Sequence, residues 1–227
     1  RQAVSESLVL LKNDNAALPL AKDASLIYVA GQGADDIGMQ SGGWTIAWQG
    51  KTGNIQPGTT ILGGVRQAVS SGTKVEYNPT GEFTGTANAG IVVVGERPYA
   101  EGVGDARTLD LSQTDSQVIA SMRLHCKKLI VIILSGRPLV ITGQFQQADA
   151  WVAAWLPGTE GEGVANVLFG DRPFTGKLPY TWPRSDAQLP VNKNNSASLT
   201  GCAAPLFPYG YGLGEAGSQP IRWLECP

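Results

Sequence analysis

The segment Gly90-Ile91-Val92-Val93-Val94-Gly95 constrains the fold of this chain more than any other. Its four consecutive β-branched residues, bounded by glycines, read as a strand that is apolar on both faces. Such a strand is stable only when both faces are covered, as in the centre of a parallel sheet flanked by helices. Further strand-like runs occur at 25–31, 73–77, 129–134 and 150–155, with helical patterns between most of them. This alternation predicts an α/β fold, a three-layer α/β/α sandwich with a mainly parallel sheet of about six strands. Helices are expected over 2–12, where Val4, Leu8 and Leu11 fall near helical spacing, and over 59–69, where Ile61, Val65 and Val69 share a face. A third starts at Ser112, which stands three residues before Asp115 in a capping-box arrangement, and runs through Val118, Ile119 and Met122. Segments 142–148 and 161–169 complete the set.

A length of 227 residues suits one sizeable domain with a well-buried core. The net charge is −2, with Lys and Arg spread along the chain, so no basic surface follows a phosphate backbone and nucleic acid is excluded as a partner. No apolar run approaches the ~20 residues that cross a bilayer, and the first residues lack the layout of a signal peptide. The 29 glycines concentrate at strand ends and turns, which indicates shaped loops, not disorder. Residues 189–205 read as an irregular surface excursion. Periodicity ends after Leu213, giving a domain over 1–213 and a tail or stub over 214–227. The three cysteines, Cys126, Cys202 and Cys226, are expected to be free and mostly buried thiols; a Cys202–Cys226 bridge is the alternative that an oxidising compartment leaves open.

In open α/β sheets, ligands bind beyond the carboxyl ends of the strands. The loop after 90–95 carries three carboxylates there, Glu96, Glu101 and Asp105. Glu96, next to the strand, is expected to anchor the loop, and Asp105, between Gly104 and Ala106, to form a turn. Gly31-Gln32-Gly33 also follows a strand, but no glycine stands where Gly-x-Gly-x-x-Gly needs the third, so no nucleotide cofactor is expected, and Asp35 and Asp36 are read as turn or cap residues. Arg137 is expected in a structural ion pair at the sheet rim. Glu160 and Glu162 suit the start of a helix. His125, the only histidine, has no companion ligand, and no metal is expected. A nucleophilic role for Cys126 beside it is disfavoured, because adjacent side chains point in different directions.

Several of these segments carry a resemblance. Gly95-Glu96-Arg97-Pro98-Tyr99-Ala100-Glu101, Glu6-Ser7-Leu8-Val9-Leu10-Leu11-Lys12-Asn13, Gly42-Gly43-Trp44-Thr45-Ile46-Ala47-Trp48-Gln49-Gly50, Ser135-Gly136-Arg137-Pro138, Trp155-Leu156-Pro157-Gly158-Thr159-Glu160-Gly161 and Leu168-Phe169-Gly170-Asp171 stand in the order found in the second domain of family 3 glycoside hydrolases. The chain resembles their exo-β-glucanase and β-glucosidase branch from about Arg1 to Leu213.

The resemblance implies that Glu101 is the general acid/base of a retaining glycosidase. It also implies that a tryptophan of the Gly-Gly-Trp-x-x-x-Trp segment clamps the sugar on the leaving-group side. Trp48 fits that wall better, and Trp44, also a candidate substrate-binding residue, is read mainly as core or interface packing. The nucleophile would be an Asp on an N-terminal barrel domain that nothing in this chain resembles, so the isolated chain is expected to be inactive. A β-linked glucoside or oligosaccharide is the implied substrate, and a secreted or periplasmic location the implied compartment. The rival reading is a non-catalytic carbohydrate-binding or interaction module of the same fold.

Overall fold

The computed structural model describes residues 1–214, 220 and 226. Six strands form one sheet: β1 (Val9–Asn13), β2 (Leu26–Ala30), β3 (Lys74–Tyr77), β4 (Ala89–Gly95), β5 (Leu129–Leu134) and β6 (Ala150–Trp155). The helices are α1 (Gln2–Ser7), α2 (Ile37–Ser41), α3 (Ile61–Ala68), α4 (Gln113–Leu124), α5 (Gly161–Leu168) and α6 (Lys193–Ser196). The strand order is β1-β6-β5-β4-β2-β3. All pairings are parallel except β1 with β6, which closes one edge antiparallel.

Alternation along the strands divides the core into two layers. On one face Ile27, Val29, Ile91, Val93, Ile130, Ile132 and Val152 pack with Ile61, Leu62 and Val65 of α3 and Val164, Val167 and Leu168 of α5. On the other, Tyr28, Val92, Val94, Val131, Ile133 and Trp151 pack with Val118, Ile119 and Met122 of α4, joined by Phe145, Trp182 and Phe207 from irregular segments. The two-sided apolar strand expected at 90–95 is therefore β4, with Ala89 to Val94 all buried.

Two helices expected from the sequence are corrected. The 2–12 helix stops at Ser7, and the following residues turn into β1. Leu8, Val9, Leu10 and Leu11 are all buried, so the run is apolar on every side, and the near-helical spacing of Leu8 and Leu11 is coincidental. Lys12 also joins the interior, its ammonium donating to the carbonyls of Phe145 (3.1 Å) and Ala148 (2.8 Å). The 142–148 helix is reduced to a single 3-10 turn, Phe145–Gln147, because Phe145 and Trp151 must both reach the α4-side layer.

The cysteine expectation is also corrected: Cys202 and Cys226 form a disulfide, and only Cys126 is free. The loop-rich C-terminal segment thus gains a covalent tie. Most of the 214–227 tail otherwise lies outside the described residues. Cys126 is buried, and burial pushes its thiol up to about 12, which suits an inert core residue and not a nucleophile.

Ile132 is fully buried in the middle of β5. Truncation by Ile132→Ala is expected to cost about 3 kcal/mol, from lost transfer energy plus the residual cavity. Urea unfolding should show a lower midpoint at unchanged slope.

Candidate functional site

The sheet changes winding direction between β2 and β4, since the chain leaves β2 for β3 on one side and returns to β4 on the other. The crevice at the carboxyl ends of such a strand pair is where this class of sheet places ligands. The loop after β2 carries α2 and the two tryptophans, and the loop after β4 carries the three carboxylates, so the topology brings both to one rim.

Glycine lets the two loops approach. Gly31 (φ +87°) ends β2 with its α-carbon facing the Val93 backbone, where a Cβ would collide with the carbonyl. The Gly31-Gln32-Gly33 spacing thus serves strand packing. Gly43 lies equally close to the Tyr99 carbonyl, so the tryptophan loop rests directly on the carboxylate loop. Asp36 caps α2, accepting from Met39 N–H (2.8 Å) and from Gly53 N–H (2.7 Å), and Asp35 accepts from the Thr60 hydroxyl (2.8 Å); both are structural, as expected.

The three carboxylates are separated by environment. Glu96 is held from three sides. The Arg137 guanidinium donates to its Oε1 from Nε (3.0 Å) and Nη2 (2.5 Å), while Ser135 (2.5 Å) and Tyr99 (2.9 Å) donate hydroxyls to Oε2. This satisfied, half-buried ion pair is an anchor, which agrees with the expectations for both Glu96 and Arg137. Arg137 also lies over the Tyr99 ring, 4.7 Å from its centroid. Burial, with the Glu96 hydrogen bond adding to it, pushes the Tyr99 phenol up to about 12, so Tyr99 stays a donor at any physiological pH. Asp105 closes a turn through its N–H to the Gly102 carbonyl (3.1 Å).

Glu101 is different. Its side chain is exposed, and its Oε2 accepts from the Trp48 indole Nε1 at 2.7 Å. That hydrogen bond, with the residue's own backbone N–H and the Trp44 indole in support, holds its carboxyl below the usual glutamate range against a small opposing effect of desolvation. Trp48 and Trp44 stand with ring centroids 6.3 Å apart, 54% and 69% exposed. Core packing within this chain is therefore not the role of Trp44. Both indoles are exposed beside a carboxylate, an arrangement that can stack on the C–H face of a pyranose while an acid meets its glycosidic oxygen.

A cleft of about 620 Å³ opens behind the loop, lined by residues including Gln32, Arg97, Tyr99, Asp115 and Arg137. Neither Glu101 nor either tryptophan lines it, so the exposed carboxylate and indoles lie outside this cleft. Asp115, at the first turn of α4, has its carboxyl raised by burial, while its N–H is capped by Ser112 Oγ (3.0 Å), as the sequence predicts.

The remaining polar candidates are structural. Glu160 and Glu162 both pair with Arg1, and His125 Nδ1 meets the Gly85 carbonyl at 3.1 Å. No cluster of three or more metal-ligating side chains occurs among the described residues. Sequence reasoning missed Gln49, Tyr99 and Ser135 as site members. Only the polarity of Gln49 between Trp48 and Gly50 could have drawn attention to it, since hydrogen bonds to a distant backbone leave no local pattern.

Residues 8–215 match the model of the glycosyl hydrolase family 3 C-terminal domain, and the chain belongs to that family. The fold and the rim therefore define a C-terminal α/β sandwich domain of this class. Among its relatives, a periplasmic beta-glucosidase of Salmonella typhimurium is 31% identical over 94% of this chain. A lysosomal beta glucosidase of Dictyostelium discoideum is 30% identical over 92%. The crystal structure of a mutant exo-1,3/1,4-beta-glucanase from a Pseudoalteromonas species superposes with a TM-score of 0.86 at 38% identity, covering 98% of this chain and 37% of that one. The chain spans 34% and 28% of the lengths of the two named beta-glucosidases, about a third in each case.

If the indole hydrogen bond is what lowers the Glu101 carboxyl, Trp48→Phe should move that carboxyl upward toward an ordinary glutamate. Carbon-13 NMR titration of the glutamate carboxyls checks this, and an unchanged Glu101 titration would refute the assignment.

Proposed function

We propose that this chain is the accessory domain of a retaining, exo-acting β-glucosidase or exo-β-glucanase, and that Glu101 is its general acid/base. The observation that carries the reading is the exposed Glu101 carboxylate hydrogen-bonded to the Trp48 indole, on the rim at the winding switch of a family 3 C-terminal domain. Trp48 forms an aglycone-side wall and Trp44 contributes contact area beside it. The relatives named as beta-glucosidases and as an exo-1,3/1,4-beta-glucanase support a β-linked glucoside as substrate.

Glycosidic oxygen leaves readily only once protonated, so Glu101 in its acid form donates to it and, as carboxylate, later takes a proton from the water that hydrolyses the glycosyl enzyme. A retaining mechanism needs a second carboxyl about 5 Å away as nucleophile. An Asp on an N-terminal barrel domain supplies it, and the domain alone is inactive. Docking of that lobe also desolvates Glu101, which raises its carboxyl from the low value of the exposed state into the range of a working acid. A periplasmic or secreted location fits the named periplasmic relative and the Cys202–Cys226 bridge, since disulfides persist in oxidising compartments. Among the described residues no helix is long and apolar enough to cross a membrane.

In the intact enzyme, Glu101→Gln is expected to lower kcat on alkyl β-glucosides and oligosaccharides by about 10²–10⁴-fold, the range of one general acid/base. Formation of the glycosyl enzyme from a 2,4-dinitrophenyl β-glucoside, whose leaving group needs no proton, should be nearly spared in a pre-steady-state burst. Equal rates on both substrates before and after the change would instead favour a sugar-binding module whose tryptophans hold carbohydrate without chemistry.

A further inference from the structure

We infer that Gln49 is a positioning residue for the acid/base: its side-chain amide clamps the backbone on both sides of Glu101 and makes the tryptophan loop and the carboxylate loop move as one piece. The inference rests on the role proposed for Glu101.

The Gln49 Oε1 accepts from the Ala100 N–H at 2.8 Å, and its Nε2 donates to the Glu101 carbonyl at 3.4 Å. The Ala100 N–H can only donate and the Glu101 carbonyl can only accept, so the amide is read in one orientation and a flipped one would lose both contacts. The two bonds bracket the Ala100 and Glu101 α-carbons. The adjacent residue, Trp48, holds the Glu101 carboxylate itself. One dipeptide, Trp48-Gln49, thus fixes the backbone and the side chain of Glu101 together.

The far end of the loop is tied separately. Arg137 Nη1 donates to the Gly104 carbonyl at 2.7 Å, and within the loop Gly104 N–H donates to Ala100 O (2.8 Å) and Val103 N–H to Glu101 O (2.9 Å). The loop has few apolar anchors: Ala100 is buried, but Glu101, Gly102 and Val103 are exposed. Polar clamps must therefore set where the carboxyl stands. Removing the Gln49 clamp leaves the Arg137 end intact, so the loop stays attached to the sheet while Glu101 gains freedom. A displacement of about 1 Å at a reacting group can cost on the order of 100-fold in rate.

The test compares Gln49→Met, which keeps length and loses both hydrogen bonds, and Gln49→Glu, which keeps the acceptor and sets a carboxylate against the Glu101 carbonyl, in the intact enzyme. Gln49→Met is expected to lower kcat on an alkyl β-glucoside about 10- to 100-fold with little change in KM, and to spare the 2,4-dinitrophenyl burst. In a Glu101→Gln background the same change should have no further effect on the alkyl substrate, because the group it positions is gone. Gln49→Glu should additionally move the basic limb of the pH–rate profile upward, since a second negative charge disfavours ionisation of Glu101. Equal losses on both substrates, or no loss, would overturn the clamp even where Glu101→Gln behaves as an acid/base variant. If Glu101→Gln shows no leaving-group selectivity, the acid/base reading itself fails, which the single variants reveal before Gln49 is judged.

Discussion

The structure is organised by the complete burial of β4. With Ala89 to Val94 covered on both faces and paired to β2 and β5, this strand can present nothing polar until it ends. The first side chain beyond it that carries charge is Glu96, and a carboxylate at the edge of so apolar a layer must be neutralised locally. Arg137, delivered by the neighbouring loop after β5, does so with two nitrogens, and Ser135 and Tyr99 occupy the other oxygen. Consuming Glu96 in this way leaves Glu101 and Asp105 as the loop carboxylates outside the ion pair. Glu101, five residues on, is exposed, with one oxygen held by the Trp48 indole.

The contrast between Glu96 and Glu101 follows from their surroundings. Glu96 sits among fixed donors, one of them permanently charged, and both of its oxygens are occupied. Glu101 has only neutral donors, the Trp48 indole foremost among them. In the isolated domain that environment favours the carboxylate, so its acidity here is that of a group awaiting a change of surroundings. The second lobe proposed above would provide the change: it would exclude water, and loss of hydration raises a carboxyl whose fixed partners are neutral. The low state of Glu101 in this chain and a working acid in the proposed assembly are therefore compatible.

Much of the fold was legible because the core strands obey strong rules. The β-branched run at 90–95, the similar run at 129–134 and the helical face of Ile61 and Val65 each permit one placement, and each took it. The residues that misled were those whose burial depends on distant partners. Leu8 to Leu11 satisfied helical spacing as well as strand burial, and only the open edge of β6 decides between them. Cys202 found Cys226 across a segment without periodicity, where spacing alone gives no preference. At the site, the motif residues Glu101, Trp48 and Trp44 stood out, and the topology brings them together; the hydrogen bonds of Gln49 and Tyr99 did not, because they link positions 51 and 3 residues apart with no repeating signature.

The tryptophan loop shows what holding two indoles outward demands. Trp44 (φ +60°) and Ile46 (φ +62°) both adopt the left-handed region, where a β-branched Ile is rare and each such residue costs of order 1–3 kcal/mol. The strain is held by the Trp44 N–H to the Trp48 carbonyl (2.8 Å), the Ala47 N–H to the Thr45 carbonyl (2.7 Å) and the Gly50 N–H to the Ala47 carbonyl (2.9 Å). A relaxed loop could fold Trp44, Ile46 and Trp48 down against the domain and shed exposed apolar surface. That it does not, with Ile46 78% exposed, means that the backbone is over-determined in favour of display. Gly43 and Gly50 pack the same turn against Tyr99 and Pro98, where a Cβ would not fit. Strain in the tryptophan loop and close backbone contact with the carboxylate loop thus have one consequence: the indole faces and the Glu101 oxygens are set in fixed relation before any ligand arrives, so little ordering remains to be done when one binds.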